Sequence, residues 1–250
     1  VQHRQIKGKI KTLTLKKEAS GKWFASFAVL ETPAVKAQNG KPKVGIDLGL
    51  KTLATLSDGT TIKNPRHIEK HQEKIAYLQR TSDRKRKGSK NRRKAKKLVA
   101  IELEKLKNTR RDFLHKFSHT LVNSYSFIAL EDLASQELAK QNFGKSINDA
   151  GWGELANMLR HKAESAGCEV VFVNPKDTTR MCCVCNNKMD MPLSERTYLC
   201  DSCGNHIDGD LNASINILRR ATAGIAGSNA CGDGTAVPSL KQEARAFRRG

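Results

Sequence analysis

The sequence predicts a mixed α/β fold with a small metal-knuckle insertion, and three observations predict it. Apolar residues alternate in the manner of strands through the first 30 residues, and three short strands follow a polar linker over 44–63. A period near 3.6 takes over from about Pro65 to Tyr125, and short apolar strands then alternate with helical stretches. Late in the chain, Cys182-x-x-Cys185 is followed after 14 residues by Cys200-x-x-Cys203. The order is therefore a hairpin, then βββ–α(α)–β–α–β–insert–α.

Each element has its own signal. Ile10–Leu15 and Trp23–Val29 flank the turn Ser20–Gly21–Lys22, forming a hairpin kept basic by Lys7, Lys9, Lys11, Lys16 and Lys17. A Gly/Pro/Lys linker, Ala37–Lys43, precedes strands at Val44–Gly49 and Thr52–Leu56. Asp58–Gly59 is a two-residue turn that lets Thr60–Lys63 pair back, giving three antiparallel strands. Ile68, Ile75 and Leu78, then Leu98, Ile101, Leu106, Leu114 and Phe117, mark two helices joined at Gly88–Ser89. Phe127–Leu130 reads as a buried strand ending at Glu131–Asp132. Trp152–Ala166 is an amphipathic helix closed by Gly167 at the C′ position, and Cys168–Val173 is a strand. A helix from Asp210 to Arg220 follows the cysteines, and the Gly/Ala/Ser-rich tail beyond it is expected to pack loosely.

Forty-five Lys and Arg against 25 Asp and Glu leave a net charge of +20, which favours a polyanionic partner, nucleic acid first. The chain has no apolar run of about 18 residues, which excludes an integral membrane protein. Its Val/Ile/Leu-rich segments argue against a wholly disordered chain. The chain begins at Val1 with neither Met nor a leader-like apolar segment, as expected of an internal or processed stretch. Seven cysteines, four of them in two CxxC steps, fit metal binding in a reducing compartment better than a secreted disulfide framework. Each CxxC turns two thiolates toward one ion, so Cys182, Cys185, Cys200 and Cys203 are expected to hold one structural Zn²⁺ in a ribbon. Gly204, and Asn186 in the equivalent place, supply the positive φ that such turns want. Cys183 should point away from the knuckle, while Cys168 and Cys231 lack partners.

Three acids stand out by position. Asp47 sits inside an apolar strand, where a lone charge is costly without a cation or partner. Glu131 ends a second apolar strand. Asp210 opens a helix, although Asp208 or Asp210 could equally be only its N-cap, and Glu131–Asp132 a solvated strand end. One carboxylate from each of three elements is also how a two-metal phosphodiesterase site is assembled.

Val44–Gly45–Ile46–Asp47–Leu48–Gly49–Leu50–Lys51, Ile128–Ala129–Leu130–Glu131–Asp132–Leu133, the double knuckle and Asp208–Gly209–Asp210–Leu211–Asn212–Ala213–Ser214–Ile215–Asn216–Ile217 together resemble the TnpB (OrfB) family of transposon-encoded proteins, relatives of the type V CRISPR effectors. Asn148–Gly153 and Cys231–Gly234 extend the likeness. The resemblance implies an RNase H-like (RuvC) mixed sheet with flanking helices, interrupted by a zinc ribbon before its last helix. It also implies an N-terminal hairpin left from a wedge barrel. It assigns catalysis and two Mg²⁺, with Mn²⁺ as an alternative, to Asp47, Glu131 and Asp210, and not to Asp208. It further implies DNA and a guide RNA as partners, no membrane, and a bacterial or archaeal cytoplasm. The chain departs from the family in its shortened N-terminal part, and in Gly209 where the family usually carries Arg in D-R-D.

The expected organisation is a hairpin at 1–40, a first nuclease part at 41–177 with a basic helical hairpin at 65–125, the ribbon at 178–206, the last catalytic helix at 207–222 and a tail at 223–250. Within Arg80–Lys97, eleven cations (Arg80, Arg84, Lys85, Arg86, Lys87, Lys90, Arg92, Arg93, Lys94, Lys96 and Lys97) face one acid, Asp83. Such crowding is relieved by phosphate contact with counterion release. By resemblance the tract lies along a guide–target duplex read through its backbone. Arg180 is a further candidate phosphate contact. Tyr77, Trp152 and Tyr198 are candidates for base stacking, with core packing the simpler role for Trp152. The function read from the sequence is thus a metal-dependent DNA endonuclease, RNA-guided when complete, of the kind also called a transposase. The rivals are a non-catalytic nucleic-acid-binding relative and a zinc-ribbon adaptor.

Overall fold

A computed structural model describes Ile6 and residues 8–30, 40–133, 150–190 and 195–227. It divides into two units, Val1–Ala34 with Arg66–Asp112, and Val35–Pro65 with Phe113–Gly250. Asn148, Asp149 and the Cys231–Gly234 motif lie outside the described residues.

The first unit holds the hairpin and the basic helices. Strands β1 (Lys9–Lys17) and β2 (Trp23–Leu30) pair antiparallel, with Lys17 opposite Trp23. Helix α1 spans His67–Asp83, and α2, Lys90–Ser124, contains the boundary between the units. Between them Gly88 adopts φ 81°, and Ser89 caps α2 by accepting the Arg92 amide at 3.1 Å. The buried Glu102 carboxylate ties the helices together, meeting His71 at 2.9 Å and Lys74 at 3.0 Å. The hairpin turn is pinned to α2 where Lys22 meets Glu104 at 2.7 Å.

The second unit is built on one five-stranded sheet. In the order β5–β4–β3–β6–β7, it comprises Thr61–Lys63, Thr52–Leu56, Lys43–Leu48, Phe127–Glu131 and Glu169–Val173. The run β3–β4–β5 is antiparallel, as the sequence implies, whereas β3, β6 and β7 run parallel. Two helices follow: α3, Trp152–Ala166, and α4, Gly209–Gly227. Gly167 ends α3 at φ 67°, the left-handed C-terminal cap that a glycine there supplies. Helix α4 outruns the expected Arg220 by two turns, because Ala221 stays buried in the core and the alanines around it favour helix. Residues 221–227, expected in the loosely packed tail, are therefore helical, and residues 228–250 lie outside the described residues.

Strand alternation assigns the two sheet faces. Val44, Ile46, Ile128 and Leu130 pack with Leu114 and Leu121 of α2 and Leu155 and Leu159 of α3. The opposite residues Phe127, Ala129 and Val173 pack with Ile217 and Ala221 of α4. Trp152 belongs to the first core, 9% exposed, so it is a packing residue and not a stacking platform. Gly45 brings α4 down onto β3: a Cβ there would lie 2.1 Å from the Ser214 carbonyl oxygen and 2.7 Å from the Leu218 amide nitrogen.

Candidate active site

Asp47 and Glu131 each lie one residue beyond the pair Ile46↔Leu130, where parallel β3 and β6 end side by side. Both share the strand parity of Gly45 and Ala129, so both belong to the face that α4 covers. Asp210 enters from the first turn of α4, and the close approach at Gly45 sets the height of that turn over β3. The structure thus brings together the three carboxylates singled out in the sequence. Asp208 has the other job: its Oδ1 accepts the Leu211 amide at 3.0 Å and caps α4, which leaves Asp210 to face the strands.

The electrostatics of the cluster follow from this crowding. Burial, then the neighbouring charges of Glu131, Asp210 and Asp208, push Asp47 from 3.8 up to about 8. Burial also raises Glu131, against the opposing effects of the Thr178 hydroxyl, which donates to its Oε1, and of Arg220. Asp210 is raised by burial and by Asp208, with Arg196 3.6 Å away and Lys51 acting against it. Three half-buried carboxylates, two of whose charges bear on the third, Asp47, are by their chemistry a donor set that fits hard, oxygen-seeking dications.

The four ribbon thiols also converge. The Sγ atoms of Cys182, Cys185, Cys200 and Cys203 all lie within 4.8 Å of one another, with Cys182–Cys203 at 3.7 Å and Cys185–Cys200 at 3.5 Å. Thiolates 2.3 Å from a tetrahedral metal stand about 3.8 Å apart, so the spacing fits one ion with no open position. Asn186 and Gly204 take φ 62° and 71°, the left-handed turns expected after each CxxC. The second knuckle carries strands β8, Thr197–Leu199, and β9, His206–Asp208. Tyr198 is fully buried within the ribbon and its hydroxyl donates to the Arg180 carbonyl at 3.0 Å, so it has no face to offer a base. Cys183 is buried outside the thiol cluster, and Cys168 is buried beside β7.

The remaining candidates are more dispersed. Arg180 is exposed and meets Asp190 at 3.4 Å. In the basic tract, Arg92 is turned inward, holding the Lys85 carbonyl at 3.1 Å and Asp83 at 3.4 Å, whereas Arg80, Arg84, Lys85, Arg86, Lys87, Arg93, Lys94, Lys96 and Lys97 are exposed. Lys87, Gly88, Ser89, Arg92, Arg93 and Lys96 line a concavity at the elbow of about 320 Å³. Tyr77 is 63% exposed on α1. Residue reasoning passed over Thr178, Asn212 and Asn216. Asn212 and Asn216, four apart on a helix that also carries Asp210, are a one-faced polar stripe that periodicity could have exposed.

The chain is similar to known proteins along most of its length. A family model described as "Probable transposase" matches residues 26–142, and one described as "Cas12f1-like, TNB domain" matches residues 152–217. A "Putative RNA-guided DNA endonuclease" of Streptomyces pristinaespiralis is 38% identical over 93% of this chain and 59% of its own length. The chain belongs to the TnpB family. Another relative, the "Putative RNA-guided DNA endonuclease InsQ" of Escherichia coli (strain K12), is 31% identical over 92% of this chain and 60% of its own. This TnpB-family chain therefore spans about three fifths of the length of either relative. Its fold is shared with a cryo-EM structure of a Cas12f1–sgRNA–target DNA complex, at TM-score 0.52 and 17% identity over 82% of this chain and 55% of that one. A CRISPR-Cas12f ternary complex gives TM-score 0.57 and 19% identity over 78% and 42%. No helix among the described residues is long and apolar enough to cross a membrane.

Proposed function

We propose that this chain is the catalytic part of a transposon-encoded, RNA-guided DNA endonuclease that depends on divalent metal. The observation that carries the reading is the meeting of Asp47, Glu131 and Asp210 on the α4 face where β3 and β6 end. Two Mg²⁺, or Mn²⁺ in their place, held by these carboxylates would activate water and stabilise the leaving oxygen of a phosphodiester. The protein's own part is positioning. Asp47 is the common neighbour of the other two acids, Glu131 is held by Thr178, and α4 presents Asp210 while Arg196 balances its charge.

The ribbon holds Zn²⁺ in a site closed by four thiolates, a structural role. The exposed cations of the α1–α2 elbow neutralise a nucleic-acid backbone without reading its sequence. DNA and a guide RNA enter as partners on the strength of the names of the relatives, and they are partners of the whole protein. The test compares wild type with Asp47→Ala, each with its co-purified RNA, single-stranded DNA and Mg²⁺. Cleavage by wild type alone, with both proteins shifting nucleic acid, is the expected outcome. Equal absence of cleavage with the shift retained gives the protein to the non-catalytic binding alternative.

A further inference from the structure

Between the last residue of β7 and the first cysteine, Asn174–Met181 runs past Glu131, which pairs in register with Val173. Thr178 lies in this segment, 1% exposed, with its hydroxyl donating to Glu131 Oε1. Its other available acceptor, the Pro175 carbonyl, stands 2.9 Å away. A hydroxyl carries one proton, and a charge-assisted bond to a carboxylate outcompetes a neutral one. Among the described residues Glu131 Oε2 receives no hydrogen bond.

The segment is gripped along its length by α4. Asn216 donates to the Thr178 carbonyl at 3.0 Å and to the Met181 carbonyl at 2.6 Å. Asn212, fully buried, donates to Met181 at 2.8 Å and accepts from the Cys183 amide at 2.8 Å. Arg220 donates to the carbonyls of Asn174 and Lys176 at 2.5 and 2.6 Å. These three residues recur every four positions, so they form one stripe on the helix whose first turn carries Asp210.

We propose that Thr178 is the positioning residue of the acidic site. Its hydroxyl occupies one oxygen of Glu131 and turns the other toward a divalent cation, and the Asn212–Asn216–Arg220 stripe holds Thr178 in place. One helix then presents one acid directly and a second through this backbone segment. The inference rests on reading Asp47, Glu131 and Asp210 as a metal site.

The test is Mn²⁺ binding to the zinc-loaded full chain, followed by electron paramagnetic resonance without nucleic acid, so that it does not depend on cleavage. Thr178→Val removes the hydroxyl at nearly constant volume. Thr178→Ala and Thr178→Ser form a second pair that differs by the hydroxyl alone, and zinc content reports that the ribbon is intact in each. Loss of about ten-fold in Mn²⁺ affinity in the Val and Ala variants, with Ser within about two-fold of wild type, is the expected result, in keeping with the reach of outer-shell partners. Val and Ala variants that bind as wild type does, or a Ser variant as weak as Ala, overturn the positioning role and leave the metal site standing. A wild type with no Mn²⁺ site that is lost in Asp47→Ala overturns the metal-site reading and this inference with it.

Discussion

Asp47 is a charge placed where a strand core would reject one, and its raised pKa makes that conflict measurable. The folded carboxyl keeps its proton up to about pH 8, whereas in the unfolded chain it ionises near 3.8. Between those values the folded state binds more protons, so the metal-free protein loses stability as pH rises through the window. A melting series of the zinc-loaded chain from pH 5 to 8 in buffer free of Mg²⁺ and Mn²⁺ should fall more steeply for wild type than for Asp47→Asn. At pH 8 the Asn variant should melt a few degrees higher, since about 1–2 kcal/mol is worth that much in a chain of this size. Mg²⁺ should raise the wild-type melting temperature at pH 8 and leave the variant unmoved. An Asn variant melting below wild type at pH 8 in that buffer would contradict this account of the cluster.

At the scale of elements, α4 does two jobs, packing on the sheet and gripping the ribbon. Its contact with β3 leaves no room for a methyl group at Gly45. Gly45→Ala should therefore destabilise the protein by about 3 kcal/mol, the upper part of the overpacking range. Because Asp210 rides on the same helix, the surviving folded fraction should also bind Mn²⁺ more weakly, which titration of the purified variant would reveal. The ribbon is the second element with a sharp expectation. Metal analysis should find about one zinc per chain, lost in Cys200→Ser, with protease sensitivity appearing first around residues 178–208. The knuckles were legible because their chemistry is local: a CxxC and a positive-φ residue span five positions. The grip by Asn212 and Asn216 was not, because its partners lie about 30 to 40 residues upstream and only the folded helix brings them into reach.

For the whole molecule, the +20 surplus is unevenly placed, and the structure separates exposed cations from one that builds. Arg92 braces the elbow through Asp83 and the Lys85 carbonyl, while Arg93 and Lys96 stand exposed beside it. Replacing Arg93 and Lys96 by Ala should lower the slope of log affinity against log salt by about 1.5, at 0.7–0.9 for each phosphate left unneutralised. The weakening should be equal for unrelated DNA sequences, which a filter-binding series over salt would check. Arg92→Ala should instead lower the melting temperature. Sequence reading grouped Arg92 and Arg93 together because a charge run does not reveal which side chains turn inward.

The sequence by itself determined the element order, the double knuckle with its four thiols, the acids at the strand ends and the basic tract, because each is written in residues close along the chain. Strands β3 and β6 are buried on both faces, so burial pattern alone could not say that Asp47 and Glu131 share one; their parallel register decided it. Only the tertiary structure decided which acid caps α4 and which faces the strands, and that Trp152 and Tyr198 are core residues. It alone showed α4 seated on Gly45 and reaching Glu131 through Thr178. Those outcomes depend on contacts between residues far apart in sequence, where a missing Cβ or one hydroxyl proton has meaning only once its distant partner is in place.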